Sequence, residues 1–221
     1  MNSKFRDHAF ALAIISFSIL FLSSCGTPSK LYASDQKDGV YFSAPRSWLS
    51  ISKNTLDSVE AKSKAAGAAD RLASVHWQIA FSPDRNLKAA QVLSIKAPSQ
   101  PVVYVRVRSL SYDEANSVSY NTLRDLVVPL TTWASGSDST APSFSVISDS
   151  EMVQRGGRGI HTRFTFTNST GEDQTIDQSA LISDDRSTLY LMIARCNSEC
   201  FSKHESEISQ IVKSFTVRGH N

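Results

Sequence analysis

Apolar and polar side chains alternate at Val40, Phe42 and Ala44 against Tyr41 and Ser43, a period of two that predicts a strand. Pro45-Arg46-Ser47 turns the chain, and Trp48-Leu49-Ser50-Ile51 is expected to return as a second short strand, closing an opening hairpin. Leu56 to Ala69 is rich in Ala, Lys and Glu and predicts a helix that Gly67 weakens near its end. His76 to Phe81 predicts a strand stopped by Pro83-Asp84, and Gln91 to Ile95 fits a short helix or a strand. In Val102 to Arg108, Val103, Val105 and Val107 share one face. Leu123, Leu126, Val127 and Leu130 fall at i, i+3, i+4 and i+7, a helical stripe ending at Pro129.

The C-terminal pattern predicts four consecutive strands joined by turns. Phe144–Ser148 comes first, with a continuation expected to Gln154, and Arg155-Gly156-Gly157-Arg158 turns it into Ile160–Thr167. There Ile160, Thr162, Phe164 and Phe166 face one way, with His161, Arg163 and Thr165 on the other side. Gln174–Ile182 and Leu189–Arg195 follow. Leu189 to Ala194 is apolar without alternation, so this strand is expected to be covered on both faces. Ile208, Ile211, Val212 and Phe215 form the stripe of a closing helix, for which Ser202-Lys203-His204-Glu205 reads as a capping box. The pattern as a whole predicts an α+β fold: an antiparallel β-sheet covered by helices.

A second kind of pattern opens the chain. Lys4 and Arg6 precede an apolar run from Ala9 to Leu22, followed by Leu22-Ser23-Ser24-Cys25. The run fits the apolar core of about 7–15 residues of an export signal and falls short of the about 20 that span a bilayer. Leu22, Ser23 and Ser24 before Cys25 form a lipobox, in which the Cys25 thiol would take the lipid. We therefore expect residues 1–24 to be a lipoprotein signal peptide, 25–37 a lipidated polar tether, 38–218 one folded domain and 219–221 a tail. The expected location is extracytoplasmic, anchored through lipid to a bacterial cell membrane.

Composition narrows the function classes. The 221-residue chain carries a formal net charge of +2, with its basic residues scattered. This gives no case for nucleic acid, which needs a clustered basic face. Arg106/Arg108 read as a solvated strand face and Arg155/Arg158 as a turn. Of three cysteines, Cys25 is assigned to lipid, leaving Cys196 and Cys200 as a pair expected to form a disulfide in an oxidising compartment. Their C-x3-C spacing lacks the partners of a zinc site; His204 is close but is one ligand. The sequence lacks the elbow, zinc-helix, phosphate-loop and dinucleotide motifs, so no catalytic residue, metal or cofactor is assigned. A Ser/His/Asp set meets only in three dimensions. His76 and His161 are the histidines best placed for chemistry, His161 being expected to point outward and His76 to be packed or at the surface. Glu172, Asp173 and Asp177 lack calcium-loop spacing and read as solvated turn charges. Trp48, Trp77 and Trp133 read as packing residues.

The order of elements resembles the PsbP-like fold. Gly39-Val40-Tyr41-Phe42-Ser43-Ala44-Pro45 with Trp48 looks like that superfamily's opening. Gly156 and Gly159 sit at its usual first hairpin turn, and Ile208-x-x-Ile211-Val212-x-Ser214-Phe215 is similar to its ending. With the lipobox added, the chain resembles the LpqN-type bacterial lipoproteins over residues 38–218. The resemblance implies a non-enzymatic accessory or binding protein that docks on an envelope or membrane protein partner, with no catalytic residues to carry over. The alternative is a carrier of an apolar or glycolipid ligand held between sheet and helices. An envelope hydrolase is a third, weaker reading. A deep apolar pocket of several hundred Å³ would favour the carrier and a flat aromatic patch the docking protein.

Overall fold

The computed structural model describes residues 29–219. The expected signal, the lipobox residues Leu22, Ser23 and Ser24, and Cys25 lie outside the described residues. A seven-stranded antiparallel sheet runs in the order β3 (Leu49–Ile51), β4 (Val75–Ser82), β5 (Val102–Ser109), β9 (Thr188–Asn197), β8 (Asp173–Ile182), β7 (Gly157–Thr167) and β6 (Phe144–Gln154). A three-stranded antiparallel sheet holds β1 (Lys30–Asp35), β2 (Val40–Pro45) and β10 (Thr216–Val217), with β2 in the middle. Short helices α1 (Lys53–Glu60), α2 (Ala68–Ala73), α3 (Ala89–Val92), α4 (Tyr112–Ser117), α5 (Tyr120–Arg124) and α6 (Leu130–Ala134) fill the connections, and α7 (Ser198–Ser214) is the one long helix among the described residues. The protein is therefore an α+β fold built on an antiparallel sheet with helices against it.

The large sheet separates two cores. On one side Val103, Val105, Val107, Tyr190, Met192 and Ala194 meet Val40, Phe42 and Trp48 of the small-sheet region and the Ile208, Ile211, Val212, Phe215 stripe of α7. On the other side Tyr104, Ile160, Phe164, Phe166, Ile176, Leu191 and Ile193 meet Leu56, Leu123, Leu130 and Trp133 from the short helices. Every residue of β9 from Thr188 to Cys196 is buried, as a strand covered on both faces requires. Trp48 and Trp133 are core residues, and Trp77 packs against the first core.

The structure changes several expectations. Residues 25–37 are not all tether: Lys30–Asp35 pairs along its whole length with β2, Lys30 opposite Pro45 and Asp35 opposite Val40. The turn after Asp35 depends on Gly39, whose φ of +64° suits glycine and whose Cα faces the Gly219 carbonyl too closely for a side chain. Strands β2 and β3 do not form a hairpin, since β2 belongs to the small sheet and β3 pairs with β4. The expected helix over 56–69 is two pieces, α1 and α2, separated by a turn and Gly67 at φ +68°. The stripe Leu123–Leu130 is also broken. The Asp125 carboxylate accepts the Thr131 amide at 2.8 Å, so α5 ends at Arg124 and a new turn starts after Pro129. Helix α7 begins at Ser198 rather than near Ser202. The Asn197 side chain caps it by accepting the Cys200 amide at 2.8 Å, and the Ser202 hydroxyl donates to the Ser198 carbonyl.

Candidate functional site: a cleft on the short-helix face

The strand register builds the cleft floor. Val102, Tyr104, Arg106 and Arg108 of β5 stand opposite Arg195, Ile193, Leu191 and Leu189 of β9, all projecting to the short-helix side. Walls come from the end of α1 (Val59, Glu60), from α2 (Ala68, Arg71, Leu72), from α3 and the turn after it (Val92 to Ile95), and from Leu126 and Val127. The cavity they bound is about 630 Å³, within the usual range for small-ligand sites. The cleft exists because the cover is made of short pieces. None is long enough to lay a continuous apolar stripe along both floor strands.

Arg106 and Arg108 are thus not a solvated strand face. Arg106 donates to Glu60 at 2.6 Å and to the Tyr104 hydroxyl at 3.3 Å. Tyr104 donates to the Gln78 amide oxygen at 2.5 Å, and the Gln78 nitrogen donates to Asp57 at 2.8 Å and to Glu60 at 3.1 Å. Burial pushes the Tyr104 phenol up to about 12. Arg108 makes a two-pronged pair with Glu114, at 2.8 and 3.1 Å, whose hydrogen bonds hold the Glu114 carboxyl below its ordinary value. Arg195 is 5% exposed and donates to the carbonyls of Lys96, Gln91 and Val92 at 2.5, 2.8 and 3.0 Å. Its burial brings the guanidinium down to about 10.

Three residues far apart in sequence form a hydrogen-bonded chain elsewhere. His76 Nδ1 lies 3.2 Å from each oxygen of the fully buried Asp38 carboxylate, and its Nε2 lies 2.8 Å from Ser109 Oγ. The order is that of a nucleophile, base and orienting acid. The surroundings differ from an acyl-transfer site. The Ser109 amide donates to Ser74 at 2.9 Å and the Leu110 amide to Ser187 at 2.7 Å, so neither is available to an oxyanion. Neither His76 nor Ser109 lines the cleft. Geometrically the three tie the β1–β2 turn to the ends of β4 and β5. Asp35 beside them is held above its ordinary value by burial and by Asp38.

His161 and Asp177 are also brought together. Asp177 is fully buried, not a solvated turn charge; it accepts from His161 Nε2 at 2.5 Å and from Arg163 at 2.8 Å. Arg163 continues to Glu205 on α7 at 2.8 Å. His161 thus lies on the α7 face, away from the inward Ile160, and does not meet His76, whose partners are Asp38 and Ser109. Glu172 and Asp173 accept from Thr170 and Thr167 at the hairpin turn. Cys196 and Cys200 form a disulfide with Cα atoms 5.9 Å apart, closing the corner from β9 into α7. His204 interacts with Glu207 at 3.3 Å, not with sulfur. Among the described residues no group of three or more His, Cys, Asp or Glu side chains is arranged to hold a metal ion.

The sequence pattern missed Asp38 and Ser109 as partners of His76, and Arg71, Gln174 and Arg195 as cleft residues. One signal was present: an arginine directly after the uninterrupted apolar run of Leu189–Ala194 is a buried charge that needs partners.

No protein-family model matches the chain, and no curated protein matches it. Among solved structures it is similar to a cyanobacterial PsbP from Synechocystis, at 15% identity and a TM-score of 0.46 over 89% of this chain and 98% of that one. It is similar also to LpqN of Mycobacterium tuberculosis, at 9% identity and 0.46 over 85% and 90%, and to the Ran-binding protein Mog1p of Saccharomyces cerevisiae, at 10% and 0.46 over 86% and 96%.

Proposed function

We propose that this chain is a lipid-anchored accessory protein of the cell envelope that acts by binding rather than catalysis, and that its ligand sits in the cleft between β5, β9 and the short helices. The cleft carries this reading: about 630 Å³, with a floor that sets apolar residues beside guanidinium groups. It favours the carrier form of the binding reading over docking through a flat aromatic patch. The lipobox at Leu22, Ser23, Ser24 and Cys25 supports export and anchoring, and the Cys196–Cys200 disulfide is consistent with an oxidising compartment. Among the described residues no helix is long and apolar enough to cross a membrane; in this reading the anchor is the lipid on Cys25, expected from the lipobox.

The test uses the mature chain from residue 25 with Cys25→Ser, which keeps the whole described fold. It should take up the uncharged dye N-phenyl-1-naphthylamine with a rise in emission, and Val127→Asp, at the half-buried wall, should abolish uptake. No uptake by the unmutated domain overturns the cleft reading. The non-catalytic half is tested by a fluorophosphonate probe: covalent labelling of Ser109 would revive the hydrolase reading. A second reading rests on β6, whose outer edge has no strand partner among the described residues and whose Val146, Ile147 and Val153 are exposed. Such an edge suits an envelope protein partner that adds a strand.

A further inference from the structure

The cleft is unevenly furnished with charge. Four arginines line it against two carboxylates, and both carboxylates are committed, Glu60 to Arg106 and Glu114 to Arg108. The other two arginines have carbonyl partners: Arg71 donates to Ala66, and Arg195 to Lys96, Gln91 and Val92. Carbonyls orient a guanidinium without neutralising it, so the cleft keeps an excess of two positive charges. A guanidinium has five N–H donors, and the three bonds of Arg195 leave two of its donors unused.

Gln174 is the second observation. It is fully buried, it lines the same cleft, and neither its amide nitrogen nor its amide oxygen has a hydrogen-bond partner among the described residues. An unpartnered buried amide is costly and calls for a reason. The register places it beside Arg195: Gln174 pairs with Asn197 and Ile176 with Arg195, so the two side chains are diagonal neighbours on adjacent strands. Next to this polar corner the β9 strip of the floor is apolar, with Ile193, Leu191 and Leu189 in line and Leu126 and Val127 on the wall, while Arg106 and Arg108 across on β5 are paired with Glu60 and Glu114.

We infer that the cleft takes an anionic amphiphile, its charged head on Arg195 and Gln174 with Arg71 adding charge, and its acyl tail along the Leu189–Ile193 stripe. The inference rests on the cleft reading above and names the ligand's class. Both a carboxylate and a phosphate monoester supply the head chemistry, since each accepts from a guanidinium and an amide N–H. A glycolipid with a neutral head leaves the positive excess unmatched.

Calorimetric titration of the mature chain with C12 amphiphiles, each below its micelle concentration, tests this. Dodecanoate or dodecyl phosphate should bind at least tenfold more tightly than dodecyl maltoside, and dodecyltrimethylammonium should bind weakest. Preference for phosphate over carboxylate assigns the head to a lyso-phospholipid type of source, and the reverse assigns it to a free fatty acid. Arg71→Met, at an exposed helix position, should fold normally and weaken anion binding several-fold while leaving maltoside unchanged. Gln174→Leu should erase much of the anion preference, and Arg195→Met all of it if the variant keeps its far-ultraviolet spectrum. Equal affinity for the anionic and neutral amphiphiles overturns the anionic assignment and leaves the cleft reading standing. No binding of any of them, together with no dye uptake, overturns both.

Discussion

The two faces of the seven-stranded sheet are covered in different ways. On one face lie a single 17-residue helix, α7, and a small sheet. Val103, Val105, Val107, Met192, Ala194 and Ile208 are all completely buried there. On the other face, among the described residues, six helices of four to eight residues share the work, and a cleft remains. The contrast is one of periodicity and length. An amphipathic helix of nearly five turns presents an unbroken stripe, and the small sheet extends that cover. Short segments, separated by turns, bring apolar residues in patches. Where the patches do not meet, the floor carries Arg106, Arg108 and Arg195, whose charges need partners in the walls. The continuous cover serves stability and the interrupted cover leaves room for a ligand.

If this division holds, the two faces answer differently to the same kind of mutation. Ile208→Ala on α7 should cost about 2–5 kcal/mol, the range for truncating a buried aliphatic side chain where the cavity cannot collapse. Val127→Ala on the half-buried cleft wall should cost under about 1 kcal/mol and change dye uptake instead. Urea denaturation of both variants makes the comparison. Equal losses would mean that the cleft wall is as tightly built as the α7 face.

Reduction of the disulfide should come next in size. Cys196 and Cys200 enclose a five-residue loop at the corner of the filled face, for which the chain-entropy model gives about 2 kcal/mol. In a domain of this size that corresponds to a fall of several degrees in Tm. A scan with and without reductant measures it, and thiol titration of the folded mature chain carrying Cys25→Ser should find no free thiol. Dye uptake should be unaffected, because neither cysteine lines the cleft.

The smallest expected effect is alkaline, and it sets one phenol on each face against a guanidinium at the cleft. Burial raises Tyr190 in the first core and Tyr104 at the cleft to about 12. For each, the folded protein holds a proton that the unfolded chain releases near 10, so this stability is complete below pH 10 and is lost as pH rises toward 12. Arg195, lowered by burial to about 10, works the other way, since the folded protein loses its proton first and gains stability over the same window. With two groups against one, unfolding free energy should decline between pH 10 and 12, and Tyr104→Phe should flatten the slope. Denaturant titrations across that window decide it; a rise in stability would mean that Arg195 outweighs both phenols.

Much of the fold was legible in the pattern of side chains. The strands from Gly157 to Asn197 and the stripe of α7 were readable because each buries one face, or both, with the proper period; β6 before them, with no buried residue, was legible only as the partner that the turn at Gly156 brings back. The early segments were harder. Lys30–Asp35 looks like a polar tether because two sides of a small-sheet edge strand are exposed and few of its residues are buried. β2 and β3 look like one hairpin because proximity in sequence favours pairing, but burial of Trp48 between them sends the two strands to different sheets. The site was less legible than the fold. Arg106 and Arg108 alternate with valines in the manner of an exposed face, and the walls that enclose them come from segments dozens of residues away.

The sequence by itself determined the antiparallel strand series, the closing helix stripe and the expectation that Cys196 and Cys200 would pair, because each depends on residues close along the chain. The tertiary structure alone decided that Arg71, Gln174 and Arg195 share a cleft, and that Asp38 and Ser109 meet His76. Those meetings are set by strand order and register. β5 pairs with β9 across some eighty residues of intervening chain, and a register shift of one residue would turn the strand side chains among them, His76, Ser109, Gln174 and Arg195, to the opposite face. Periodicity tells which side of a strand a residue occupies; which neighbour it finds there is settled by the packing of the whole sheet.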